Sequence, residues 1–172
     1  MIEIRPFEED DNAAVRDLFV RVNRELAPPE MREAFERYIQ TALREEIDRI
    51  EDYYRPSDGS GFWVVFLAGS FAGMFGVERL DQCHAELRRM YVAPEQRRKG
   101  LARHMLDHAE EFCRESGYEV LVLSTSEVQE AALALYRAVG FTLVGEETAE
   151  AQSNKTVGGG IRRFNFEKPL SA

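Results

Sequence analysis

At 172 residues the chain has the length of one ordinary domain, and its 44% apolar and 31% charged content excludes a disordered or collagen-like protein. A formal net charge of −9 argues against nucleic acid as the main partner, because phosphate binding is built on surplus Lys and Arg. The opening Met1-Ile2-Glu3-Ile4-Arg5-Pro6, the lack of any run near ~18 apolar residues, and two distant cysteines, Cys83 and Cys113, point to no membrane segment and free thiols in a reducing cytoplasm.

Ile2 to Arg5 alternates and predicts a short strand ended by Pro6. Asp10-Asp11 offers an N-cap for a helix with Val15, Leu18, Phe19 and Val22 on one face. Pro28-Pro29 closes it. From Glu30 to about Tyr54, apolar residues recur at three- and four-residue steps, which predicts one long amphipathic helix. Its Glu45-Glu46, Asp48 and Glu51-Asp52 then form a solvated face.

Phe62 to Ala68 and Phe71 to Arg79 read as a hairpin about a Gly69-Ser70 turn. Gly73 and Gly76 in its second strand suggest a bulge or close backbone approach. Ala85 to Val92 is the next strand. Gly100 to Ser116 is a helix, capped by Gly117, that buries Cys113. Val120 to Leu123 is a buried strand, Glu130 to Val139 a helix, and Phe141 to Gly145 and Ile161 to Phe166 are the last strands. This order predicts one domain over residues 1–172, α/β (α+β), with a single mixed sheet flanked by helices.

The segment between the Ala85–Val92 strand and the following helix carries the chemistry. Arg97, Arg98 and Lys99 precede Gly100-Leu101-Ala102 at a helix start. There unpartnered N–H groups and the peptide dipoles favour an anion, and small residues let it approach the backbone. The pattern is neither a P-loop nor the three-glycine dinucleotide fingerprint. Taken alone it fits any phosphate, or merely a solvated basic turn.

Arg97-Arg98-Lys99-Gly100-Leu101-Ala102 nevertheless resembles the R/Q-x-x-G-x-G/A motif of the GNAT superfamily of N-acetyltransferases. Gln129, Ala132, Leu135-Tyr136 and Gly140-Phe141 resemble its second motif, with glutamine in place of asparagine. The resemblance covers roughly residues 62 to 145. It implies a GNAT-type acyl-CoA N-acyltransferase fold, with a mostly antiparallel sheet, and acetyl-CoA as cosubstrate. The N–H groups of Arg97, Arg98, Lys99, Gly100, Leu101 and Ala102 would hold the pyrophosphate. The main chain of Met90, Tyr91 and Val92 would pair with the pantetheine arm where the fourth and fifth strands splay, Val92 would polarise the thioester carbonyl, and Gln129 would touch the arm. Tyr136 would protonate the departing thiolate, and Glu86 matches the position of a general-base glutamate.

An alkylammonium near pKa ~10.4 must lose a proton before it attacks a thioester, and a carboxylate is suited to take it. Glu86 also reads as an exposed strand residue, His84 is a second candidate base, and Tyr136 also reads as a core aromatic. His104 and His108 have helical spacing for a metal, but no third ligand follows and the expectation is two solvated histidines with no metal. Arg88 and Arg89 face opposite ways in a regular strand, so at most one can assist a phosphate.

The expected function is direct acetyl transfer to a primary amine of a small molecule or amino acid, with no membrane or nucleic-acid partner and with exposed terminal strands that allow a homodimer. Thr125-Ser126, Gln129 and Phe62-Trp63-Val64 also resemble the animal cysteine-conjugate N-acetyltransferases, whose membrane segment has no counterpart here. Two alternatives stay open: an enzyme for protein or peptide amines, and a non-catalytic acyl-CoA-binding module. A protein-directed enzyme predicts an open groove. A small-amine enzyme predicts a closed pocket walled by the long helix and the Thr148–Gly160 loop.

Overall fold

The computed structural model describes residues 1–170; Ser171 and Ala172 lie outside the described residues. Chain order is β1 (Ile2–Pro6), α1 (Asn12–Leu26), α2 (Arg32–Glu45), α3 (Ile50–Tyr53), β2 (Gly61–Leu67), β3 (Ser70–Arg79), β4 (His84–Val92), α4 (Leu101–Glu115), β5 (Val120–Ser126), α5 (Glu130–Ala138), β6 (Thr142–Ala149) and β7 (Ile161–Pro169). The strands form one sheet in the order β1-β2-β3-β4-β5-β7-β6. Every described pairing is antiparallel except β4 with β5.

The strands are apolar on both faces because helices cover both. On one face Trp63, Val65, Phe75 and Leu87 pack with Met105, Ala109 and Cys113 of α4. On the other, Val64 and Met74 pack with Phe19 of α1 and Ile39 of α2. Period-two alternation along β2 thus feeds two separate cores. Cys113 is fully buried, as expected, and Trp63 stacks on Phe75 with ring centroids 5.2 Å apart.

Several expectations need correction. The hairpin turns at Ala68 and Gly69, both at positive φ (51° and 83°), one residue earlier than predicted. Gly73 does mark a close approach, since a Cβ there would lie 2.7 Å from the Tyr91 carbonyl oxygen. His108 is not solvated: it is edge-on to Trp63 and Phe75, and burial lowers its pKa.

The predicted long helix is three pieces. α2 ends at Glu45, Glu46 departs to φ −137° and ψ −61°, a tight turn spans Ile47–Arg49, and α3 resumes at Ile50. Periodicity survived the break because Ile47, Ile50 and Tyr54 still face the core. Glu46, assigned to a solvated face, is 0% exposed. Its carboxylate accepts hydrogen bonds from Arg88 Nη2 (2.9 Å), Arg89 Nε and Nη2 (both 2.8 Å), the Tyr54 hydroxyl (2.5 Å) and Asn154 Nδ2 (3.0 Å). A buried carboxylate is tolerated only with such compensation. Burial alone would raise its pKa, but the guanidiniums of Arg89 and Arg88 hold it at about 2.

Both arginines reach Glu46 because β4 is not regular. The pairing of β3 with β4 shifts between Met74 and Gly76, and Arg89 sits at φ 55°. The extra residue is a bulge, which cancels one step of the alternation. Arg88 and Arg89 therefore point to the same face, contrary to the strand-periodicity expectation.

Candidate active site

β4 and β5 pair over three residues only, His84 with Val120, Ala85 with Leu121 and Glu86 with Val122. Beyond Glu86 the strands diverge, and among the described residues Met90, Tyr91 and Val92 have no strand partner on their β5 side. The opening has a cavity toward each end. One, of ≈ 450 Å³, is lined by Val92, Arg97, Ala102 and Leu135. The other, of ≈ 460 Å³, is lined by Glu86, Arg88, Arg89, Ser124, Lys155 and Arg163 among others. Leu26, Met90, Tyr91, Val128, Gln129 and Tyr136 line both, so the cavities meet at these side chains.

The first cavity opens beside the Arg97–Ala102 loop, of which Arg97 and Ala102 line it. Arg98 (φ 64°) and Gly100 (φ 78°) turn the chain so that the loop runs into α4. The backbone N–H groups of Arg98, Lys99, Gly100, Leu101 and Ala102 find no carbonyl acceptor among the described residues. A Cβ built on Gly100 would meet no atom within 4 Å. The glycine serves the left-handed turn and leaves the approach to the N–H groups open. The Arg97 guanidinium donates to Glu25 on α1 at 2.9 Å, and Lys99 donates to the Gln96 side-chain oxygen at 2.8 Å.

At the junction, the Tyr136 ring is held edge-on against Phe141, with centroids 5.7 Å apart. Its hydroxyl has no hydrogen-bond partner among the described residues and is not sealed off, so it faces the cavities. Burial pushes the phenol pKa well above its usual value. Gln129 takes hydrogen bonds on Oε1 from Thr125 Oγ1 (2.9 Å) and the Ser126 backbone (3.3 Å), which leaves its amide nitrogen available.

In the second cavity Glu86 lies on β4 just where the strands part, and Lys155 donates to its Oε1 at 3.1 Å. Lys155 belongs to the β6–β7 loop, which is tied to the sheet by Asn154. The Asn154 carbonyl accepts from Arg88 (3.4 Å) and Arg89, and its side chain donates to Glu46 and Tyr53. Phe35 and Tyr38 of α2 and Ala149, Ala151, Thr156 and Val157 around that loop complete the wall. The expected residues thus gather into two groups, the Arg97–Ala102 loop with Met90, Tyr91, Val92 and Gln129, and Glu86 with Tyr136. His84 stands apart, paired with Asp81 at 2.9 Å.

Sequence reasoning missed Lys155, Arg163, Ser124 and the Glu46 cluster. For Arg163 there was no clear signal, since Arg162 and Asn165 beside it make Ile161 to Phe166 a mixed run in which one more cation does not stand out. For Lys155 there was none, since it lies in an irregular loop.

Comparisons with known proteins show the family and the fold. The sequence profile described as the acetyltransferase (GNAT) family matches residues 15–141. The chain is 39% identical over 110 residues to the N-acetylaspartate synthetase of Danio rerio, covering 63% of this chain and 39% of that protein. It is 35% identical over 117 residues to N-acetyltransferase family 8 member 3 of Rattus norvegicus, covering 65% of this chain and 51% of that one. It therefore spans about half or less of these relatives' length. A crystal structure of an acetyltransferase from Streptococcus agalactiae superposes with a TM-score of 0.77 at 22% identity, over 98% of both chains.

Proposed function

Since the chain belongs to the acetyltransferase (GNAT) family, we propose that it transfers the acetyl group of acetyl-CoA to the free amine of a small amino acid. The observation that carries this reading is the second cavity. It is walled by α2 and the β6–β7 loop and has the size of a small molecule, whereas a protein substrate needs an open groove. The name of the fish relative, a synthetase of N-acetylaspartate, agrees with an amino-acid acceptor.

In the proposed reaction the N–H groups from Arg98 to Ala102 hold the pyrophosphate, while that of Arg97, expected to join them, is taken by the Pro94 carbonyl at 3.4 Å. The pantetheine arm lies along Met90, Tyr91 and Val92 as a strand would, and Gln129 touches it. The thioester then sits at the junction, its carbonyl polarised by the Val92 backbone. The acceptor enters from the second cavity, and Glu86 takes a proton from its ammonium, directly or through a water. The neutral amine forms the new C–N bond as the C–S bond breaks, and the second proton lost from the nitrogen passes to the departing thiolate, leaving the amide and the free thiol of CoA.

Tyr136 faces the departing sulfur. Its buried phenol stays protonated at neutral pH, and complete transfer to a thiolate whose parent thiol lies near ~8.5 runs uphill. The phenol therefore acts mainly as a hydrogen-bond donor to the charge that builds on sulfur. Ser124 and Ser126 line the acceptor cavity, but among the described residues neither is hydrogen-bonded to a general base: Ser124 accepts from Arg163 and Ser126 donates to Gln129, so transfer is direct.

The test is thiol release from acetyl-CoA with a panel of acceptors: L-aspartate, S-benzyl-L-cysteine, spermidine and a lysine-containing peptide. The expected result is release with the amino acids and background rates with the peptide. Release with the peptide alone overturns the acceptor, and release with none of them overturns the enzyme.

A further inference from the structure

We propose that Arg163 binds the carboxylate of the acceptor, so that the substrate class is an amine with a carboxylate close to its reacting nitrogen. This rests on the acceptor cavity assigned above and names the group that selects its occupant.

Four cations line that cavity: Arg88, Arg89, Lys155 and Arg163. Three are already neutralised. Arg88 donates to Glu46, Glu78 (2.7 Å) and Tyr53 (2.7 Å). Arg89 donates twice to Glu46 and once to the Tyr38 hydroxyl. Lys155 pairs with Glu86.

Arg163 differs. Among the described residues no carboxylate oxygen lies within 4 Å of it, and its only partner is the neutral Ser124 hydroxyl, reached by Nε at 3.2 Å and Nη2 at 3.0 Å. A guanidinium has five N–H donors. Ser124 takes two, which leaves both on Nη1 and one on Nη2. The side chain is only partly exposed, yet its unbonded nitrogen is not sealed in, so these donors open on the cavity. Burial lowers the pKa of Arg163, against Tyr38, Glu147 and Glu86, which raise it; Glu147 is its cross-strand neighbour on β6 and lines the same cavity, yet forms no ion pair with it. A partly desolvated cation with unused donors is suited to a bidentate carboxylate.

The sheet register puts this anion site on the face where the proton is removed. Glu86 stands opposite Val122, and Arg163 opposite Ser126. Val122, Ser124 and Ser126 alternate with the buried Leu123 and Thr125, so they share one face of β5. Glu86 and Arg163 therefore bracket the same stretch of β5, four residues or roughly 13 Å apart along the strand. Arg163 reaches back along β5 to Ser124, two residues nearer the level of Glu86, which shortens that gap. An α-amino acid has this polarity, an ammonium for Glu86 at one end and a carboxylate for Arg163 at the other. Ser124, by holding Nε and Nη2, fixes the plane of the fork.

Three free acids, L-aspartate, L-methionine and S-benzyl-L-cysteine, would each be assayed beside the corresponding carboxamide, with the wild type, Arg163→Gln and Arg163→Lys. The expected result is that the wild type favours the acids and that Arg163→Gln raises KM for them by about 10-fold or more. The amides should be unaffected, KM for acetyl-CoA unchanged, and the loss partly recovered in Arg163→Lys. An equal loss on acids and amides, or none on either, overturns the assignment. If no amine supports thiol release, the transferase reading falls, and calorimetric titration of the acids into the CoA-bound protein decides Arg163 separately. Binding that Arg163→Gln abolishes supports it; no binding, or binding equal in the variant, overturns it.

Discussion

Arg89 meets Glu46 through two nitrogens, Nε to Oε2 and Nη2 to Oε1, both at 2.8 Å, and it does so from a residue at φ 55° in the middle of a strand. The bulge in β4 and the break between α2 and α3 are two sides of one interaction. The strand gains a residue to aim a second guanidinium, and the helix gives up its regular course to bring a carboxylate under it. The same cluster holds Asn154, and with it the loop that walls the acceptor cavity.

Glu46→Ala leaves two buried guanidiniums short of their shared counter-charge. Removing one partner of a buried ion pair typically costs about 3–5 kcal/mol. Urea unfolding should show a loss of that order, and a loss below about 1 kcal/mol would show that the cluster is not stabilising.

The same carboxylate sets an acid limit. Its folded pKa of about 2 lies below the ~4.3 of a free glutamate. A depressed carboxylate contributes stability above the unfolded value and loses it as pH falls toward the folded one. Wild-type stability should therefore fall steeply between about pH 4.5 and pH 2. Glu46→Gln should lose less over that window, since it has no charge to neutralise there.

On the proposed mechanism Tyr136→Phe removes only the hydroxyl, because the ring contacts with Phe141 and Phe166 remain. kcat should fall by about 100-fold or more, with KM for acetyl-CoA within about two-fold of wild type. Unchanged kcat would remove Tyr136 from the reaction.

Gly100→Val places a branched side chain at φ 78°, a conformation that costs L-residues roughly 1–2 kcal/mol. It also puts that side chain into the open approach to the loop's N–H groups. A lower Tm together with a raised KM for acetyl-CoA is expected; an effect on Tm alone would detach the loop from cofactor binding.

The two thiols should be distinguishable. Burial pushes Cys113 up to about 12, so it stays protonated and unreactive until strongly alkaline pH, while Cys83 is only half-buried. A colorimetric thiol reagent at pH 8 should modify one cysteine in the native protein and the second only in denaturant. Cys83→Ser should abolish the native reaction.

Much of this was legible in the sequence because it rests on local patterns. The strand–loop–helix around Arg97 to Ala102 is written in Val92, Gly100 and the stripe of α4. The hairpin is written in alternation about Gly69. What was not legible depends on partners distant along the chain. Glu46 looks like its charged neighbours Glu45 and Asp48, and only Arg88 and Arg89, some forty residues on, single it out. Arg89 breaks the strand period with no glycine or proline in β4 itself; the local signal was Gly76 on the facing strand, where the register shifts. Arg163 looks like its neighbour Arg162 in a strand of mixed polarity, and that it makes no ion pair among the described residues emerges only when the sheet is assembled.

The three-pair junction of β4 with β5 makes the sheet two leaves joined at one end. A molecule lying between them through main-chain hydrogen bonds would supply the missing rungs, and the leaves would then move as one. Occupancy should therefore be readable from amide hydrogen exchange at those N–H groups of Leu87 to Val92 that face the gap instead of β3, fast in the protein alone and slow when CoA is added. That signal requires no turnover and no knowledge of the amine.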